Sequence, residues 1–179
     1  MVKEARVESD PQDPVHWEEV EEAVELLLEK NHHEALQLLR DVIKRNPRNP
    51  YAYYYTGTAL FEVGRFDECA LAYQAALKLS PRYLAARTGL AQALRIGGDY
   101  AGAIAEARRA LDQAPSDSDA LFALGLAQAS SGDARGAIRT LEAFLESGPE
   151  FEISVEARAL LSRLRGDRPD NDNDDGETN

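Results

Sequence analysis

Apolar and small residues recur through the middle of this chain at helical rather than strand spacing. In the stretch PYAYYYTGTALFE, residues 50–62, Tyr53, Gly57 and Leu60 fall at i, i+4 and i+7. Tyr54, Thr58 and Phe61 form a second stripe with the same spacing, about 100° further round the helix, and Tyr51 heads it. Four tyrosines between positions 51 and 55 cannot share one core-facing stripe. The segment therefore predicts a helix that is apolar over most of its circumference and must be covered over most of it. Trp17, Val20, Val24, Leu27 and Leu28 repeat the pattern upstream, and Phe122, Leu126 and Ala129 repeat it downstream. Between them the corresponding stripe, Ala85, Thr88, Gln92 and Arg95, is more polar.

The pattern has a longer period. Pro47, Pro81, Pro115 and Pro149 are each separated by 34 residues. Aligned on them, Ala35, Cys69, Ala103 and Ala137 share a column, as do Ala23, Gly57, Ala91 and Gly125, and Val42, Ala76, Ala110 and Phe144. The turns EVGRFDE, IGGDYAG and SSGDARG fall in register. Each unit reads as two helices joined by a turn. Asn49 suits an N-cap with Pro50 at the first helical position, and Asp99 and Asp133 suit caps of second helices. Each proline stops a helix by disfavouring helical geometry at the residue before it. Small residues in the shared columns let helices approach to roughly 8–10 Å. The last stretch, EFEISVEARALLSRLRG, predicts a capping helix in which Val155, Ala159 and Leu160 cover the end of the fourth unit. The first unit departs from the pattern: it has Glu19 and Glu22 at packing columns and lacks the turn glycine.

A 34-residue period with these columns resembles the tetratricopeptide repeat family over residues 16–149. The resemblance implies an all-α fold, a right-handed superhelix (α-solenoid) of four helix–turn–helix repeats plus a C-terminal capping helix, nine helices in all. The repeats would span 16–49, 50–83, 84–117 and 118–151, with the cap at 152–165, inside a domain of residues 14–165. No unit buries its apolar faces alone, so neighbours stack. Tyr53, Gly57 and Leu60 match the family's packing positions, and the Tyr54 stripe matches positions that line the concave surface. The implied function is a non-enzymatic protein–protein interaction module, adaptor or chaperone-like, holding an apolar or amphipathic peptide segment of a partner. The candidate peptide-binding residues are Trp17, Val20, Val24, Leu27, Tyr51, Tyr54, Thr58, Phe61, Gln92, Arg95, Phe122 and Leu126. Exposed aromatic patches mark interaction sites, and Tyr and Trp dominate interface energetics. The alternative is a self-assembling scaffold forming homo-oligomers through the repeat surface. One subset of the family grips acidic chaperone C-termini with Lys, Asn and Arg. Here the matching positions are Val20, Val24, Tyr55, Ala85 and Gly89, which carry neither the charge nor the amide, so that specificity is not expected. Arg95 is the best polar anchor, with Arg87 and Arg82 as others.

Composition narrows the function further. A net charge of −12 over 179 residues argues against nucleic acid and against anionic membrane surfaces. No apolar run reaches the length of a membrane span, and MVKEARVESDPQDP lacks the apolar core of a signal peptide. The single Cys69 forms no internal disulfide, and a cytoplasmic protein is expected. Residues 1–13 and the acidic residues 166–179 read as disordered ends. His32 and His33, placed in the first unit's turn, are adjacent and lack metal-ligand spacing, and His16 is distant. Cys69 reads as a packed small residue. The run Glu18, Glu19, Glu21, Glu22, Glu25 reads as a solvated helix face or an acidic docking patch. No phosphate-cradling loop, nucleophile elbow or metal motif is present, so neither enzyme activity nor a cofactor is expected.

Overall fold

The computed structural model describes residues 14–166. The expected disordered arm, residues 1–13, and nearly all of the acidic tail lie outside that range. Ten helices and no strand occur among the described residues: α1 (Pro14–Glu18), α2 (Glu21–Leu28), α3 (His32–Arg45), α4 (Pro50–Glu62), α5 (Phe66–Leu79), α6 (Leu84–Ile96), α7 (Tyr100–Gln113), α8 (Ser118–Ser130), α9 (Ala134–Glu146) and α10 (Phe151–Arg165). Each packs on the next from α2 to α10, and α4 and α8 also touch α6 directly. The first helices of successive units thus form an inner layer, with the second helices outside it.

The local signals act as their chemistry requires. Asn49 Oδ1 accepts from the Tyr51 and Ala52 amides at 3.0 and 3.2 Å. Asp99 and Asp133 cap α7 and α9 by accepting from Gly102 N and Gly136 N, both at 2.9 Å. Asp117 does the same for α8. The residues before the first three repeat prolines are driven out of helical geometry: Asn46, Ser80 and Ala114 have ψ of 84°, 89° and 88°. Within units, the turn residue at Gly64, Gly98 and Gly132 is left-handed, with φ of 77°, 87° and 86°. In the first unit Lys30 takes that role at φ 62°, without glycine's freedom.

Four expectations are corrected. The first inner helix is broken at Glu19–Val20, so there are ten helices rather than nine. Asn49 is fully buried and its Nδ2 donates to His16 O (2.7 Å) and Glu19 Oε2 (2.9 Å), while Asn46 Nδ2 also donates to Glu19 (2.8 Å). These bonds hold α1 against the start of α4 and take Glu19 away from a solvated helix face. The cap α10 packs through Ser154, Ala157 and Leu161, with Leu160 partly buried, whereas Val155 is 49% exposed and Ala159 is exposed. His32 and His33 open α3 rather than sitting in the turn.

Candidate functional site

The inner layer carries a continuous set of rings. Trp17 meets Tyr51 and Tyr55 edge-on at 5.9 and 6.0 Å between centroids. Tyr54 contacts Tyr55 at 4.9 Å, Tyr83 at 4.8 Å and Tyr73 at 5.8 Å, and Tyr51 meets Tyr83 at 5.8 Å. The Trp17–Tyr51, Trp17–Tyr55, Tyr54–Tyr55 and Tyr51–Tyr83 pairs are edge-to-face, a geometry favourable beyond the buried area itself, while Tyr54 lies tilted on Tyr73 and Tyr83. The tyrosine run is thereby resolved. Tyr55 is in the seam with Val20, Ala23, Leu39 and Val42. Tyr53 packs on the core around Tyr73 and Leu90. Tyr51 and Tyr54 straddle both clusters and stay half-buried.

The candidate residues do not form one surface. Trp17, Val24, Leu27, Tyr51 and Tyr54 belong to the aromatic end and are half-buried. Val20 is 0% exposed and belongs to the core, because the break in the first inner helix turns it against α3 and α4; it does not line a surface. Thr58 bonds back to Tyr54 O at 3.2 Å and lies 3.4 Å from the Tyr73 hydroxyl, and Phe61 packs edge-on against Phe66 at 5.4 Å. Gln92 and Arg95 on α6 form a half-buried polar stretch, in which Arg95 Nε is buried with no hydrogen-bond partner. Phe122 does not join the aromatic end. It packs on Phe144 at 5.0 Å in the seam of α8, α9 and α10, while Leu126 is half-buried on α8. Arg87 is not a free anchor: its Nη1 donates to Glu106 at 2.7 Å and its Nη2 to Pro81 O.

Electrostatics at the aromatic end follow from dryness. Burial raises the Tyr54 phenol above its ordinary value; the Thr58 hydrogen bond opposes this, and the Asp119 charge on α8 adds to it. Burial likewise raises Tyr55, Tyr73 and Tyr83, so these phenols stay neutral. Asp119 remains solvent-accessible as a residue, yet partial desolvation of its carboxyl, then the charges of Asp117 and Glu150, raise its pKa. The sequence reading missed Tyr55, Tyr73 and Tyr83 as members of this cluster. Tyr83 is 1% exposed and its hydroxyl has no partner among the described residues. Three rings at one end of two consecutive repeats were a visible signal for it. Among the described residues no group of three or more His, Cys, Asp or Glu is placed to hold a metal, and no helix is long and apolar enough to cross a membrane.

Stacked helix pairs with one inner layer define an α-solenoid of repeated units. Two tetratricopeptide repeat models match the chain, one over residues 20–68 and 56–118, the other over 96–154. The chain belongs to the tetratricopeptide repeat family. No curated protein matches it. Among solved structures it is similar to a MamA fragment from Desulfovibrio magneticus RS-1, with 20% identity, TM-score 0.74, and coverage of 87% of this chain and 88% of that one. It is also similar to YrrB, described as a TPR protein with an unusual peptide-binding site (18% identity, TM-score 0.68, covering 76% and 71%). Yeast Tom70 is a third, at 17% identity and TM-score 0.73, covering 86% of this chain and 34% of Tom70. At these identities the likeness concerns the fold. Family membership supports a protein–protein interaction module, and proteins of this family are generally non-catalytic scaffolds.

Proposed function

We propose that the chain is a cytoplasmic, non-enzymatic adaptor or chaperone-like module that takes an apolar or amphipathic peptide segment of another protein along its inner face. The observation that carries this reading is the ring cluster of Trp17, Tyr51 and Tyr54, half-buried and held by Tyr55, Tyr73 and Tyr83. Rings fixed on one side and wet on the other are poised to bury their remaining edges at small entropic cost. Val24, Leu27, Thr58 and Phe61 extend the apolar end, and Gln92 with Leu126 continues it. Arg95, half-buried beside Gln92 on α6, adds a positive charge to that stretch.

Tyr54→Ala with Phe61→Ala tests the reading by partner capture and quantitative mass spectrometry, with far-ultraviolet circular dichroism as the control. Capture falls while helicity is retained. Equal recovery of the same proteins by the double variant refutes the groove. The α10 surface favours a second reading, self-association, for a separate reason.

A further inference from the structure

Among the described residues, helix α10 stands as the first half of a repeat with no second helix packed on it. Stepping by the repeat period, Ala159 continues the column Ala23, Gly57, Ala91, Gly125, and Val155 continues the mixed column Glu19, Tyr53, Arg87, Leu121. In earlier units the second helix covers this face. Tyr73 of α5 lies against Gly57, Leu141 of α9 lies against Gly125, and Ala23 and Ala91 are 2% and 1% exposed. On α10 nothing among the described residues covers it. Phe151 is 77% exposed, Val155 is 49% exposed, and Ala159 is exposed, at i, i+4 and i+8 along one side. The opposite side, with Ser154, Ala157 and Leu161, faces the fourth unit. Residues 167–179 include no Ala, Val, Ile, Leu, Met, Phe, Tyr or Trp.

The charges flanking the stripe select the occupant. Glu152 and Glu156 lie on one flank in the first half of α10, and Arg163 lies on the same flank in the second half. Arg158 and Arg165 lie on the other flank, towards α9: both line a cleft with Glu142 and Glu146, and Arg165 bonds Glu142 at 2.5 Å. An antiparallel copy of α10 brings Glu152 of each chain beside Arg163 of the other. It also sets Val155 beside Ala159, whose small side chain permits close approach. A parallel two-fold copy would instead exchange the flanks and set Arg163 of each chain beside Arg165 of the other.

We propose that the Phe151–Val155–Ala159 face of α10 pairs with the same face of a second copy of this chain, antiparallel across a two-fold axis. Such an interface is isologous, so each contact occurs twice. The helix is about 22 Å long. One such stripe falls short of the ~800 Å² per partner of a tight complex, so the dimer is weak and concentration-dependent. The proposal goes beyond the groove reading and is independent of it.

Sedimentation velocity and light scattering on the full chain, over about a hundredfold range of concentration, test it. The wild-type chain passes from monomer to dimer across that range. Val155→Glu removes the dimer. Glu152→Arg and Arg163→Glu each weaken it about fivefold to tenfold, as expected for two exposed ion pairs lost by symmetry, and the E152R/R163E double variant restores it. The charge variants keep the test open if Val155→Glu fails to fold, and circular dichroism reports folding for each. A monomer at every concentration overturns the proposal. So does a dimer indifferent to all these substitutions, because its interface then lies elsewhere.

Discussion

Tyr73 is held between Gly57 and Gly89, so alanine is costly at Gly57 but tolerated at Gly97, which faces no side chain. A methyl group at Gly57 would lie 2.7 Å from Tyr73 Cδ1 and Cε1, and one at Gly89 would lie 2.7 Å from Cζ and 2.8 Å from Cε2. Ordinary carbon contacts sit at about 3.5–4.0 Å. In Gly57→Ala the ring must therefore move by about 1 Å, directly towards the α6 backbone at Gly89. Overpacking of this kind costs about 1–3 kcal/mol, and the blocked retreat puts the cost at the upper end. Alanine's better helix propensity returns about 1 kcal/mol. The net expectation is a loss of about 1–2 kcal/mol, or a Tm lower by about 3–8 °C for a domain of this size. At Gly97 the same methyl group would meet only the Ala93 and Leu94 carbonyl oxygens at 3.4 and 3.6 Å, with φ at −70°. Gly97→Ala is then neutral or stabilising by up to about 1 kcal/mol. Urea unfolding followed by circular dichroism measures both. Tyr73→Leu, combined with Gly57→Ala in a double-mutant cycle, relieves the clash and yields a coupling energy of about 1 kcal/mol or more. A Gly57→Ala variant at least as stable as wild type, or an additive cycle, refutes the clamp.

Lys30→Gly removes the strain of a left-handed lysine and raises stability by about 0.5–1 kcal/mol in urea melts. Asn49→Ser keeps the α4 cap but deletes the bonds to His16 and Glu19, so it costs about 1 kcal/mol, whereas Asn49→Ala loses both and costs about 2–3 kcal/mol. Amide hydrogen exchange should show α1 and α2 opening first in both variants. Burial pushes the Cys69 thiol up to about 12 and raises Tyr54, Tyr55, Tyr73 and Tyr83. These groups deprotonate first in the unfolded chain, so their stabilising effect is complete below the ordinary cysteine and tyrosine values and is lost as pH rises through and beyond them. Unfolding free energy measured from pH 7 upward should fall on the alkaline side, and Cys69 should react with thiol reagents only on unfolding.

What the sequence made legible was local. The prolines act on their own neighbours, the aspartates and Asn49 cap helices two or three residues away, and the repeat period reports each unit's need for the next. The break at Glu19–Val20 was not legible because its cause is remote: Asn46 and Asn49, about thirty residues on, hold Glu19. The α10 face was misread for a different reason. Apolar residues occupy both sides of that helix, Phe151, Val155 and Ala159 on one and Ile153, Ala157, Leu161 and Leu164 on the other. Periodicity gives two stripes there without ranking them, and contact with Leu141 and Phe144 on α9 decides which one is inside.

The candidate groove shows the same limit from the other direction. Spacing on α4 correctly separated two stripes, but it treated each helix alone and left the rings as an open wall. Tyr73 of α5 and Tyr83 ahead of α6 reach back and tile much of that wall, and Phe144 draws Phe122 into a separate seam. The tiling narrows the area a ligand can reach while fixing the orientation of every ring in it. A ligand gains less buried area than an open wall would give, yet it loses little in ordering the receptor. Affinity at such a site depends on shape match more than on total apolar area. If the proposed groove reading holds, replacing a supporting ring such as Tyr83 by Leu weakens partner capture through the geometry of Tyr51 and Tyr54, with no ligand contact of its own removed.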